Sequence, residues 1–162
     1  MSLYLEDYTP GLTVQLGAHT FTAEAIKDFA GKFDPQPFHL DEAAAKKSVF
    51  GGLCASGWHT AAVWMKLMVA HELRTTQEIM ARGERPGRLG PSPGFRDMRF
   101  VKPVRVGDAI AYSSRVLRTE AWPGRPAWGL LVMHNEGRNQ KAEVVFSFEG
   151  RALVERRVPL SS

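Results

Sequence analysis

Asp34 and His39 stand five residues apart in Phe33-Asp34-Pro35-Gln36-Pro37-Phe38-His39-Leu40-Asp41. A carboxylate and an imidazole can together bind, orient and deprotonate one water. Pro35 pushes Asp34 out of the helical region, and Pro35 and Pro37 limit φ at two of the intervening positions. The stretch therefore reads as a stiffened loop whose two ionisable groups can point into one cleft. The same spacing also suits a turn aspartate and a hydrogen-bonded histidine without chemistry. Spacing and proline bracketing leave both readings open.

A second pattern follows in Phe50-Gly51-Gly52-Leu53-Cys54-Ala55-Ser56-Gly57. Ser56 is a plausible N-cap for a helix over about 58–74. Free backbone N–H groups at a helix N-terminus can hold a developing oxyanion, and Gly57 would let a ligand approach closely. Tight helix–sheet packing explains the glycine equally well. For its first three turns the helix is apolar on nearly every face, with Lys66 its first charge. Such a helix is expected to be buried, with a sheet wrapped round it.

The remaining elements must position these two stretches. Leu12–Leu16 alternates like a strand, Gly17-Ala18 turns the chain, and residues 19–21 return. Thr22 can cap a helix through Phe29, with Gly31 as its stop. Asp41 caps a short helix over 42–47, acids first and lysines last. Residues 75–94 read as a long connection rich in Gly, Pro and Arg. Strands follow at about 95–101, 109–120, 127–137 and 141–156. The expected class is α+β, a long helix against a strongly bent antiparallel sheet, in one domain spanning 1–162.

Composition narrows the function classes. With 162 residues, 44% hydrophobic and 23% charged, the chain can bury a sizeable core and does not read as disordered. Its net charge of +4 is spread among acids, without the basic run or basic–aromatic interleaving of a nucleic-acid binder. No apolar run approaches the ~20 residues of a membrane span. The first residues lack the basic and apolar regions of a secretory signal. One cysteine, Cys54, excludes an intrachain disulfide. A cytoplasmic protein with no nucleic-acid or membrane partner is the expectation. His71 and His134 lack metal-ligand spacing, so no metal site is expected.

Phe33-Asp34-x-x-Pro37-x-His39, followed by a glycine opening an apolar helix, resembles the MaoC-like dehydratases, which include (R)-specific enoyl-CoA hydratases. Met98-Arg99-Phe100-Val101-Lys102-Pro103-Val104-Arg105-Val106-Gly107-Asp108 is similar to the family's Phe…Pro-Val…Gly-Asp segment, and Asn139-Gln140-Lys141 also fits. The resemblance implies a hot-dog fold, a homodimer and a hydro-lyase acting on 2-enoyl-CoA or 3-hydroxyacyl-CoA. It implies no cofactor beyond the coenzyme A carried by the substrate. Asp34 and His39 match the family's catalytic pair. Gly57 matches the glycine whose N–H faces the thioester oxygen. Gln36 stands where the family has Asn, Ser56 replaces the His of a His-Gly pair, and Ala62 stands where some hydratases carry a pocket Ser.

Several further residues have both a functional and a structural reading. His59, one turn into the helix, could reach the cleft or be a core histidine. Trp58, Trp64, Met65 and Met68 could line an acyl tunnel or pack the core. Cys54 reads as a small buried hydrophobe rather than a nucleophile. Arg82, Arg85 and Arg88 could meet coenzyme A phosphates or be solvated. Two other functions remain open on the same fold. A thioesterase would want a carboxylate on the central helix, whose first acid is Glu72. A non-catalytic module would bind an acyl thioester without turning it over.

Overall fold

The computed structural model describes residues 4–159. A 3-10 turn at Leu5–Asp7 precedes strand β1, Thr13–Thr20. Helices α1 (Ala23–Phe33), α2 (Pro37–Leu40), α3 (Glu42–Lys47) and α4 (Gly57–Ala81) follow in succession. The chain then forms β2 (Phe95–Phe100), β3 (Ala109–Ala121), β4 (Trp128–Arg138) and β5 (Val144–Glu155). The five strands make one antiparallel sheet in the order β1-β3-β4-β5-β2. Helix α4 lies against that sheet, as the α+β reading expects. No helix among the described residues is long and apolar enough to cross a membrane.

Three boundaries differ from the sequence reading, each for a local reason. Residues 13–20 form one strand rather than two. Gly17, at φ 119°, takes up a register shift between Gln15 and Gly17, so the expected turn is a bulge. Helix α1 runs through Gly31 to Phe33. Its stop is set by Pro35, which holds Asp34 at φ −153° and ψ 69° while the Asp34 N–H closes on Ala30. Helix α4 continues to Ala81, and the connection shortens to 82–94. Fully buried Ile79 extends its apolar face, and Gly83, at φ 76°, ends it. The loop of 33–40 also contains a helical turn, α2, with Pro37 in its first position.

The core explains how α4 is held. Phe21, Ile26, Ile110, Tyr112, Val145 and Phe146 are all buried between the sheet and the helices. Val63 and Trp64 enter the same core from α4. The sheet covers one side of the helix only. Trp58, Met65, Val69, Leu73 and Met80 remain exposed in the single chain, so the expectation of burial all round is corrected. Their spacing of seven, four, four and seven residues makes one stripe along the helix.

A single buried hydrogen bond ties strand to helix near the functional end. The Tyr112 hydroxyl donates to the Thr60 carbonyl at 3.1 Å. Tyr112 is fully buried, and burial drives its hydroxyl pKa far upward, keeping it a donor. Tyr112→Phe is expected to cost about 1–2 kcal/mol, measured by urea unfolding, with little change in far-ultraviolet circular dichroism.

Candidate active site

The loop after α1 builds the site by short-range hydrogen bonding. Asp34 caps α1, and Gln36 occupies the N-cap position of α2. The Gln36 side-chain amide donates to Asp34 Oδ1 at 2.8 Å. The His39 N–H donates to the Gln36 carbonyl, which sets the ring one helical turn further on. Three consecutive devices thus place the carboxylate and the imidazole side by side.

The His39 ring is oriented by the backbone of the glycine-rich segment. Nδ1 lies 2.7 Å from the Cys54 carbonyl oxygen. A carbonyl only accepts, so Nδ1 carries the proton and Nε2 of the neutral ring is an acceptor. Cys54 is itself fixed, because it bridges Arg105 and the next N–H, of Ala55, donates to the Val104 carbonyl at 2.8 Å. The Arg105 guanidinium secures the same segment by donating to the Gly52 carbonyl.

Nε2 of His39 faces Asp34 Oδ2 at 3.5 Å. Partial burial pushes the Asp34 carboxyl up. Hydrogen bonds from the Ser56 hydroxyl and from Gln36, with His39 alongside, outweigh burial and leave it below the ordinary carboxylate range. Asp34 is therefore ionised near neutral pH. Two acceptors at that separation do not bond each other directly. They present matching sites for the two protons of a water.

The N-terminus of α4 closes the other side. Ser56 is buried, and its hydroxyl oxygen accepts from the Trp58 N–H at 3.2 Å. The Ser56 carbonyl takes the N–H groups of His59 and Thr60. The Gly57 N–H, first of the helix, has no acceptor among the described residues. The Phe100 ring lies over Gly57 so closely that an added Cβ would sit 2.7 Å from its carbons. Glycine is thus required by the approach of an aromatic wall.

These parts share one cleft of about 470 Å³. Of the residues singled out from the sequence, Asp34, Gln36, His39, Ser56, Gly57 and Trp58 all line it. Cys54, Phe100 and Lys102 line it as well without having been selected. Cys54 serves through its carbonyl, for which a side-chain pattern carries no signal. Its thiol lies 3.8 Å from His39 Nδ1, and burial pushes it up, away from thiolate chemistry. Phe100 was legible as a strand residue within the family-like segment, not as a wall of the cleft.

The structure does not bring His59 to the cleft. Two residues past Gly57, it lies about 200° round the helix. It stacks on Phe29 with ring centroids 4.6 Å apart and meets Phe21 edge-on. Burial first, and then His19, lowers its pKa to about 4, so it is neutral near pH 7. The unfolded histidine, near 6.5, takes up its proton first as pH falls, so the unfolded state binds more protons between 6.5 and 4. His59 therefore makes the fold less stable as pH drops through that window. His59→Phe should remove this loss, and its stability relative to wild type should rise by about 2 kcal/mol from pH 6.5 to 4 in urea titrations.

Other selected residues lie elsewhere. Ala62 is exposed and lines neither the cleft nor its neighbour. Arg82 pairs with Glu84, while Arg85 and Arg88 both pair with Glu155 at the end of β5. None of the three lines the cleft. Trp64, Met65 and Met68 border a separate cavity of about 520 Å³, together with Glu72. Among the described residues, no three His, Cys, Asp or Glu side chains gather as a metal-ligand set.

Comparison with known proteins places this geometry. The family model described as MaoC like domain matches residues 8–125. YdeM of Bacillus subtilis, an uncharacterised protein, is 32% identical over 152 residues, covering 94% of this chain and 99% of YdeM. A MaoC-like dehydratase from Rhodospirillum rubrum superposes with a TM-score of 0.81 at 38% identity, covering 98% of this chain and 100% of that one. The R-hydratase PhaJ1 from Pseudomonas aeruginosa gives a TM-score of 0.63 at 20% identity, covering 99% of this chain and 93% of that one. That last likeness concerns the fold, which is the hot-dog arrangement expected from the sequence. Because the family model spans well over half of the sequence and includes the acid–imidazole loop and the start of α4, the chain belongs to the MaoC-like domain family.

Proposed function

We propose that the protein is a hydro-lyase that adds water to a 2-enoyl-CoA or eliminates it from a 3-hydroxyacyl-CoA. Family membership supports hydratase/dehydratase chemistry. The observation that carries the reading is the pair of acceptors, Asp34 Oδ2 and His39 Nε2, 3.5 Å apart in the cleft that also holds the free Gly57 N–H.

In the hydration direction a water sits between the two acceptors. Its oxygen attacks Cβ as one of the pair takes its proton. The proton taken from the water is then delivered to Cα, and charge that builds on the thioester oxygen is held by the Gly57 N–H at the positive end of α4. Elimination runs the same steps backward. Gln36 keeps the carboxylate aimed through its hydrogen bond to Oδ1. Ser56 supports the same carboxylate from the helix side. The steps use side chains and backbone alone, and coenzyme A enters as part of the substrate.

The homodimer expected from the resemblance belongs to the same proposal. The exposed stripe on α4 and the outer edge of β2, the last strand of the sheet, support pairing of two copies. A cytoplasmic setting is supported by a lone, buried cysteine. No specific observation favours the thioesterase: Glu72 is fifteen residues from Gly57, ~22 Å along the helix, and borders the separate cavity.

The test is a panel of trans-2-enoyl-CoA substrates followed in parallel for loss of enoyl absorbance and release of free thiol. Enoyl loss without thiol release is expected. Thiol release without enoyl loss would establish a thioesterase. Binding without either would establish a non-catalytic module.

A further inference from the structure

The first turn of α4 serves two sides at once. Gly57, its first residue, lines the cleft, while His59, about 200° round the helix, lies outside it. The His59 ring lies flat on Phe29 of α1, with centroids 4.6 Å and planes 4° apart. Phe29 meets Phe33, one turn on, at 5.0 Å. Phe33 is the last residue of α1, and Asp34 follows it directly, its N–H closing on the Ala30 carbonyl at 2.9 Å. His59 is also met edge-on by Phe21 at 4.9 Å and by His19 of β1 at 6.5 Å. Rings from β1, α4 and α1 thus run together up to the residue before the catalytic carboxylate.

His59 is only 7% exposed, and its Nδ1 has no hydrogen-bond partner among the described residues. What this side chain supplies is a flat face for Phe29, not a hydrogen bond at that nitrogen. The side-chain hydrogen bonds to Asp34 act beyond the end of α1: Gln36 and Ser56 both bind its carboxylate. Behind the carboxylate, Ile26 and Ala30 bury the inner face of α1. The stack of His59 on Phe29 ties that helix to the same turn of α4 that carries the Gly57 N–H.

We propose that His59 is a positioning residue: by stacking on Phe29 it fixes the spacing between the Asp34 carboxylate at the end of α1 and the Gly57 N–H at the start of α4. The inference rests on the hydratase reading for what those two groups do. In that reaction the carboxylate holds the water at Cβ while the N–H holds the thioester oxygen of the same substrate. A change in their separation therefore misaligns one group whenever the other is engaged. A displacement of about 1 Å is worth about 10²-fold in rate.

The experiment compares wild type with His59→Leu and Phe29→Leu, which each remove one ring, with their double variant, and with His59→Phe, which keeps a ring. Values of kcat and KM are measured with trans-2-butenoyl-CoA. Hydrogen exchange of the Asp34 amide is followed by NMR beside the amides of β4. Each single Leu variant should lower kcat by about 10–100-fold with KM changed by less than about threefold. The double variant should be hardly slower than the worse single one. Asp34 exchange should quicken by about tenfold or more in the Leu variants while β4 exchange holds. His59→Phe should bring both readouts back toward wild type. Because the stack can be removed from either face, a His59→Leu chain that fails to fold leaves Phe29→Leu as the test. Folded Leu variants with wild-type kcat and exchange would overturn the brace. So would a Phe29→Leu chain that behaves as wild type while both His59 variants fail. If wild type turns over no enoyl-CoA but Asp34 exchange quickens in the Leu variants, the brace stands and the hydratase reading fails. Turnover by wild type with no change in the variants has the opposite meaning.

Discussion

Asp34→Asn and His39→Ala should each lower turnover of a short trans-2-enoyl-CoA by about 10²–10⁴-fold, the usual worth of positioned acid–base groups. The asparagine preserves the shape of residue 34 but offers a neutral amide where the water needs an anionic acceptor. It also loses the charge that Gln36 and Ser56 are arranged to support. His39→Ala removes Nε2 and leaves the Cys54 carbonyl without its ring donor. That variant should therefore lose about 1–3 kcal/mol of stability as well, while Asp34→Asn should lose little. Because the two groups act on one water, the double variant should be hardly slower than the worse single variant. Stopped assays over long times, with unfolding curves on the same samples, separate lost chemistry from lost fold. Near-normal turnover in both folded variants would remove the acid–imidazole pair from the mechanism.

Gly57→Ala has the next largest expected effect, about 10²-fold in kcat/KM, the scale of a lost oxyanion donor. The methyl group would lie 2.7 Å from the Phe100 ring, so the ring or the start of α4 must shift. Either movement disturbs the cleft, although the N–H itself is retained. A Phe100→Ala change in the same chain removes the obstacle. The double variant should recover most of the loss attributable to the clash, a coupling that a cycle of the four proteins measures directly. Equal activity of Gly57→Ala and wild type would mean that close approach at this glycine is not needed.

The parts of the site that were legible in the sequence are those fixed by local rules. Proline bracketing of Asp34, the Ser56 cap and the glycine opening α4 act within a few residues, and all converge in the cleft. The strand segments from 95 onward were placed closely because alternation and short turns define them. The choice between cleft and core for His59 stayed open because its side depends on helix rotation relative to a sheet formed mostly by later residues, and the core reading is the one the structure shows. The Arg85 and Arg88 pairing was out of reach for another reason. Their partner, Glu155, lies about seventy residues away, and charge composition does not name a partner. The Cys54 carbonyl that orients His39 is backbone, identical at every position. The far end of α4 was visible in principle through Arg82-Gly83, a stop masked by the polar run before it.

The ring contacts that run from Phe100 through Phe146 and Phe148 to Trp64 join β2, β5 and α4, so no single segment announces them.

The most direct measurement is the crystal structure of the Asp34→Asn variant with a bound 2-enoyl-CoA that it turns over too slowly to consume. The thioester oxygen should lie within hydrogen-bonding distance of the Gly57 N–H, with Cβ beside a water held by residue 34 and His39 Nε2. An acyl group seated in the cavity beside Glu72, or a thioester oxygen held by a different donor, would contradict the proposed site.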